Sequence, residues 1–246
     1  MLWEILDRLV RNKHIQSQKR RNRPKVVVER VPTKKGKGGL KYKSEFNVYI
    51  PKLREQELMF QIPSPTYIAY KAKPRKLYNG DCNYWNFVTS KDKYIDEIMT
   101  DLIGRYFGNK MSGNEKEVAQ LVLDFVHQIP YEDRNLTYVK YPIETLCEFS
   151  GNCVDLSVLG ASMLTNVGIE CCILGLNGHA LLGVDVPGEG SIVRYKGKSY
   201  QVAETTGTFM PSKPVDDKIG ETEEDINTLE TIDSRHGRKI IVEPYR

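Results

Sequence analysis

The chain has 246 residues, of which 40% are hydrophobic and 28% charged, a balance typical of a soluble globular protein with one main core. No apolar stretch is long enough to cross a bilayer, and the charged residues Glu4, Asp7 and Arg8 interrupt the segment where a signal peptide needs an unbroken apolar run. These features argue against a transmembrane segment and predict a cytoplasmic location.

Most of the positive charge lies in an N-terminal arm, residues 1–43. The net charge of the chain is +4, but the arm holds 14 Lys/Arg against 3 Asp/Glu, and the remainder holds 22 against 29. Residues 1–10 have the apolar spacing of a short amphipathic helix, and the Lys/Gly-rich residues 33–43 are typical of a linker. Such an arm can bind an acidic partner protein, nucleic acid or an anionic surface, or it can be a solvated tail. The sequence leaves these alternatives open.

The cysteines predict reduced thiols and not a disulfide framework, because their number is odd and their spacing irregular. They are Cys82, Cys147, Cys153, Cys171 and Cys172. The adjacent pair Cys171 and Cys172 lies in the apolar run CCILGL. On a strand these two side chains point to opposite faces, where we expect them to be small buried hydrophobes.

Residues 44–84 form a predicted strand-rich segment that packs on the core. Short apolar runs recur there as FNVYI, LMFQI and YIAY, and prolines interrupt the segment, which favours strands or extended chain. The main domain is predicted to follow, over residues 85–246.

Two amphipathic helices are predicted early in the main domain. Apolar residues recur with helical period over residues 94–106 and again over residues 118–129. Ser112 and Glu115 have the spacing of a capping box at the start of the second helix. His127 lies near the end of that helix, where a cation or a surface contact is the ordinary explanation, so we place it outside the functional site.

The segment GNCVDLSVLGASMLTNVG predicts a helix that begins at Cys153 and ends near Val167. Asn152 is suited to be its N-cap, and we interpret Asp155 in the first turn as a further cap. A thiol at this place is favoured as a nucleophile, because the positive end of a helix stabilises a thiolate. The backbone amide of Cys153 can also donate to an oxyanion.

Two predicted hairpins follow this helix. Asn177-Gly178 between the apolar runs CCILGL and HALLGV is a strong signal for a tight turn, and His179 opens the second strand. The runs IVRY and SYQVAETTGT flank a KGK turn, and Glu204 lies on the second of these strands. We therefore expect a cysteine on a helix, with a histidine and an acid on strands of one antiparallel sheet.

The blocks YPIETL, GNCVDLS, GHALLGV and AETTGT resemble the bacterial and archaeal branch of the transglutaminase-like proteins. The resemblance implies an α+β, papain-like core whose catalytic helix packs on an antiparallel sheet, with a catalytic triad of Cys153, His179 and Glu204. Members commonly have an acidic pair around the cysteine, whereas Asn152 and Val154 flank it here. Glu204 stands where better-known members have Asp, and its longer arm can still orient an imidazole.

The predicted activity is thiol-dependent acyl transfer at an amide bond, with hydrolysis of a protein or peptide substrate favoured. The alternatives are a protein-crosslinking transglutaminase, or a non-catalytic binding or assembly module that uses the basic arm. The sequence predicts no cofactor.

Two further sets of residues have simpler explanations. A zinc site built from Cys147, Cys153 and His179 would match no compact ligand spacing, so we predict no metal site. Aromatic residues able to line the pocket or to donate to an oxyanion are Trp85, Tyr131 and Tyr138. Packing in the core explains each of them as well.

Overall fold

A computed structural model describes residues 26–31, 41–54, 56–75, 84–108, 114–133, 138–176, 179–195, 197–206, 219–220 and 241–244. In these ranges the chain forms five α-helices, one 3-10 helix and eight strands in two antiparallel sheets. The predicted α+β class is therefore confirmed. The predicted helix at residues 1–10, Cys82 and residues 33–40 of the linker lie outside the described residues.

The first sheet has three antiparallel strands. They are β1 (Val26–Val31), β2 (Lys41–Leu53) and β3 (Gln56–Pro63), in the spatial order β1-β2-β3. Buried side chains alternate with more exposed ones along β2 and β3, the buried ones including Val48, Ile50, Leu58 and Ile62. This confirms the strands predicted at FNVYI and LMFQI. Strand β1 lies within the predicted arm and pairs with β2, so this part of the arm joins the sheet.

The run YIAY is helical, so the strand or extended chain predicted there is wrong. It belongs to helix α1 (Ser64–Lys71), which follows the extended residue Pro63 and has Pro65 in its first turn. Proline is tolerated in a first turn because the N–H that it lacks has no partner there. Tyr67 and Tyr70, three positions apart, both pack against the hydrophobic core, which is the spacing of one helix face.

The two predicted amphipathic helices are confirmed as α2 (Lys93–Phe107) and α3 (Glu115–Val126). Helix α3 begins after Asn114, and Ser112 lies outside the described residues. The remaining helical elements are a 3-10 helix (Tyr84–Phe87), α4 (Pro142–Glu148) and α5 (Cys153–Asn166). No helix in the described ranges is both long and apolar enough to cross a bilayer.

The second sheet has five antiparallel strands in the order β6-β7-β5-β4-β8. Its strands are β4 (Cys171–Leu176), β5 (His179–Val184), β6 (Ile192–Tyr195), β7 (Lys198–Ala203) and β8 (Ile241–Pro244). Both predicted hairpins are confirmed, with Leu176 opposite His179 in the first of them. Residues 177–178, which connect β4 to β5, lie outside the described residues. Strand β8, which pairs with β4, was not predicted.

Helix α5 packs on β4 and β5 and is buried from Cys153 to Leu164. A Cβ atom at Gly160 would lie 2.8 Å from Cδ1 of Leu182, so glycine permits a close approach of the helix to β5. The chain thereby brings the helix that starts at Cys153 against the strand that starts at His179.

The sheet separates two hydrophobic clusters. Cys171 belongs to the main core beneath α5, whereas Cys172 belongs to a smaller cluster with Leu174, Tyr200 and others. The two cysteines are 1% and 0% exposed, which confirms that they are buried hydrophobes on opposite faces. All four cysteines in the described part of the chain are free.

Candidate active site

A reciprocal capping box starts helix α5. The side-chain oxygen of Asn152 accepts a hydrogen bond from the backbone N–H of Asp155 at 3.0 Å, and Asp155 Oδ2 accepts one from the N–H of Asn152 at 3.1 Å. The predicted cap residues are therefore confirmed. Cys153 is the first residue of the helix and is 2% exposed. The cap therefore places Cys153 at the positive, N-terminal end of the helix dipole.

Buried Lys140 stabilises the loop that precedes helix α5. The backbone N–H of Lys140 donates to Asp155 Oδ1 at 2.8 Å, and its side chain is 2% exposed. The ammonium group lies 3.0 Å from Glu132 Oε2 and 2.9 Å from Glu148 Oε2, and it donates to the Ser150 carbonyl at 2.9 Å. Because a buried charge is stable only when it is paired, these contacts fix Lys140 and the loop that precedes Cys153.

A side chain at Gly151, two residues before Cys153, would fit only if its neighbours shifted. A Cβ atom there would lie 3.0 Å from Cβ of Asp155 and 3.3 Å from a methyl carbon of Thr145. The backbone of Gly151 also accepts a hydrogen bond from the N–H of Glu132 at 2.8 Å and donates to the Pro130 carbonyl at 3.3 Å. These contacts fix the conformation of the backbone just before Cys153.

His179 and Glu204 meet at one edge of the second sheet. Strand β5 begins at His179, its neighbour β7 ends at Ala203, and Glu204 follows directly. The Nε2 atom of His179 lies 2.8 Å from Oε2 of Glu204. This pairing leaves Nδ1 as the ring nitrogen available to Cys153.

Both carboxylate oxygens and the backbone carbonyl of Glu204 take part in hydrogen bonds. Its second carboxylate oxygen accepts from the N–H of Thr206 at 2.8 Å and from the hydroxyl of Thr206 at 2.6 Å. Its carbonyl accepts from Nε2 of His127 at 2.7 Å. The next residue, Thr205, shares a buried 3.0 Å hydrogen bond with Ser157 of helix α5. The acid is therefore tied both to α3 and to the helix that carries Cys153.

The prediction that His127 makes a surface contact is wrong. His127 is 2% exposed and forms the C-cap of α3. A carbonyl oxygen can only accept, so His127 Nε2 is the donor in its bond to Glu204. Leu123, one turn earlier on the same helix face, is buried, and this apolar neighbour was the signal that the position faces inward.

The pKa values in the site favour a charged ring beside a charged carboxylate. Burial lowers the pKa of His179, but hydrogen bonds with Cys153 and Glu204 and their negative charges outweigh it and raise the value to about 10. Burial raises the pKa of Glu204, but the bonds from His179 and Thr206 outweigh it, and the pKa of this carboxyl is lowered. At neutral pH His179 is therefore an imidazolium, which can donate to the carboxylate from one nitrogen and has its other nitrogen available as a donor.

The structure pairs His179 with Glu204, and Cys153 lies near enough to the imidazole ring to raise its pKa. Such a group can carry a nucleophile, a proton carrier and an orienting acid. The catalytic role of the three residues stays a prediction.

The three candidate aromatic residues have different surroundings. Tyr131 forms an isolated parallel β-bridge with Gly151, two residues before Cys153, and burial raises the pKa of its hydroxyl. Tyr138 donates from its hydroxyl to Glu144 at 2.5 Å. Trp85 packs against the hydrophobic core.

No group of three or more His, Cys, Asp or Glu side chains suited to hold a metal ion exists among the described residues. The chain matches no family model, and the search of curated proteins found no match. Any assignment of function therefore depends on the site itself and on the sequence blocks around it.

Proposed function

We propose that this protein is a thiol-dependent acyl-transfer enzyme that hydrolyses amide bonds in a protein or peptide substrate. The observation that carries the proposal is the position of His179, which pairs with Glu204 at a sheet edge and lies near enough to Cys153, at a capped helix start, for this thiol to raise the pKa of the ring. Taken singly, each residue type is common in structural roles, whereas a linked thiol, imidazole and carboxylate is the arrangement of a catalytic triad.

The proposed reaction uses Cys153 as a thiolate nucleophile and the His179 imidazolium as a proton donor. The Cys153 thiolate attacks the substrate carbonyl and forms a tetrahedral intermediate, whose negative oxygen can accept from the Cys153 amide. The imidazolium of His179 gives a proton to the leaving nitrogen as the C–N bond breaks, and a thioester remains. Neutral His179 then removes a proton from water, which attacks the thioester and releases the acid. Glu204 keeps the ring oriented through both steps.

We propose, in addition, that the fold is papain-like and that the chain belongs to the transglutaminase-like superfamily. Support comes from helix α5, which starts at the thiol and packs on the antiparallel sheet that carries His179. The four free cysteines are consistent with a reducing compartment such as the cytoplasm. Water is our preferred acceptor, because the sequence contains neither a recognisable second amine site nor calcium-binding loops.

A thiol-directed acyl probe tests the proposal. We expect it to label the wild-type protein at Cys153 and to leave Cys153→Ser unlabelled. Cys147→Ser is the matched control, since Cys147 is also buried and burial raises the pKa of its thiol. Equal labelling of wild type and Cys153→Ser would overturn the enzymatic assignment and favour a binding module. Release of the acyl group to added lysine methyl ester in preference to water would identify a transglutaminase.

A further inference from the structure

Asn152 uses only part of its hydrogen-bonding capacity in capping helix α5. Its side-chain oxygen accepts from Asp155, its N–H donates to Asp155, and its carbonyl accepts from the N–H of Leu156 at 3.0 Å. The side-chain nitrogen Nδ2 is buried and has no hydrogen-bond partner among the described residues. The residue as a whole is 1% exposed, so this donor is shielded from bulk water.

The orientation of this amide is settled by its partner. If the oxygen and nitrogen of the Asn152 side chain were exchanged, the NH2 group would face the N–H of Asp155, and two donors would oppose each other. The nitrogen Nδ2 is therefore the side-chain atom that has no hydrogen-bond partner among the described residues. Buried donors without a partner are uncommon in native proteins, and each one calls for a specific explanation.

Two backbone amides lie at the same helix start. The N–H groups of Cys153 and Val154 belong to the first turn, where no carbonyl of the helix can accept from them. Neither has an acceptor among the described residues, and the nearby Gly151 carbonyl is already bonded to Glu132. Three donors, one from a side chain and two from the backbone, thus remain at the positive end of α5.

The ligand that suits these donors is an oxygen that becomes negative during a reaction. The thiol that would generate it belongs to the residue next to Asn152, and at 2% exposure it is buried to a similar depth. The capping bond from Asp155 fixes the orientation of the amide before any substrate arrives, so the amide need not rotate as charge develops. A carbonyl carbon attacked by Cys153 Sγ would present its oxygen to this end of the helix.

We infer that Asn152 is a catalytic residue whose Nδ2 donates to the oxyanion, together with the Cys153 amide. The inference rests on the proposed function, since only acyl chemistry at Cys153 produces such an oxygen. It makes Asn152 both the cap that positions the helix and a donor to the intermediate.

The test compares two reactions of the same thiol in Asn152→Ser. Serine caps a helix about as well as asparagine, but its short side chain carries no amide donor. Acylation by p-nitrophenyl acetate passes through an oxyanion, whereas alkylation by iodoacetamide takes place at a saturated carbon and forms none. We expect the acylation rate to fall roughly 100- to 1000-fold while alkylation stays close to the wild-type rate.

The outcomes separate the two proposals. If the wild-type thiol is alkylated by iodoacetamide but not acylated by p-nitrophenyl acetate, the proposed function fails and the inference falls with it. If wild type is acylated and Asn152→Ser is acylated equally fast, only the role of Asn152 is overturned. Asn152→Asp, which keeps the cap and the shape, serves if the serine variant does not fold. Its ratio of acylation to alkylation should fall in the same way.

Discussion

Cys153 and its two partners occupy opposite sides of one site, and different interactions hold them. The cysteine side depends on buried charges, with Lys140 between Glu132 and Glu148 and with Asp155 over the helix start. The side of His179 and Glu204 depends on hydrogen bonds at a sheet edge. Apart from Cys153 and Asn152 themselves, we therefore expect mutations on the first side to lower stability most, and mutations on the second side to lower activity most.

Among the residues that support the nucleophile and the imidazole, the largest effect on activity is expected for Glu204→Gln. The amide carries no charge and cannot hold the His179 imidazolium as the carboxylate does, so acylation at Cys153 should fall roughly 100- to 10,000-fold. The rate of acylation measures this directly. Glu170→Gln is the control, because Glu170 is an exposed acid that pairs with Lys198 at the surface. An unchanged rate in Glu204→Gln would remove Glu204 from the mechanism.

The same variant has a signature in pH dependence. In wild type the pKa of His179 is about 10 in the folded state, above its ordinary value of 6.5, so the folded protein binds this proton more tightly than the unfolded chain. The resulting stabilisation is fully present below about pH 6.5 and is lost as the pH rises through about 10. Glu204→Gln should lower the pKa of His179 and reduce this loss of stability, as NMR titration of the ring and urea unfolding at several pH values can show.

Lys140→Met should give the largest loss of stability. The substitution leaves the carboxylates of Glu132 and Glu148 without their buried partner, and we expect the free energy of unfolding to fall by about 2–4 kcal/mol. Urea denaturation provides the measurement. Lys198→Met removes a lysine of a surface pair and should change little, because solvent screens exposed ion pairs. Equal losses in the two variants would contradict the distinction between buried and exposed charge.

A smaller effect is expected at His127, which joins helix α3 to the acid. His127→Leu leaves the Glu204 carbonyl without its donor, and stability should fall by about 1–3 kcal/mol with a modest decrease in the acylation rate. His127→Gln can still donate from its side-chain nitrogen and should recover part of both. If the two variants behave alike, then His127 contributes through packing and not through its hydrogen bond to Glu204.

Local patterns predicted several elements correctly because their causes are local. Apolar period located α2 and α3, and the cap and glycine signals located α5 within about one residue. Alternation and turn residues located both hairpins of the second sheet. The helix at YIAY was misread because an eight-residue element with two prolines nearby resembles a broken strand. Its tyrosines reveal a helical face only once the core beside them is known.

The sequence by itself determined where the thiol, the imidazole and the carboxylate lie on their own elements, since capping and turn chemistry depend on neighbouring residues. It did not determine what supports them. Three hydrogen bonds that support the site join residues far apart in sequence. His127 is 77 positions from Glu204, Ser157 is 48 positions from Thr205, and buried Lys140 is 10 positions from Ser150. Such contacts exist only after the helices pack on the sheet, because packing chooses which polar groups lose water and must find a partner in the protein.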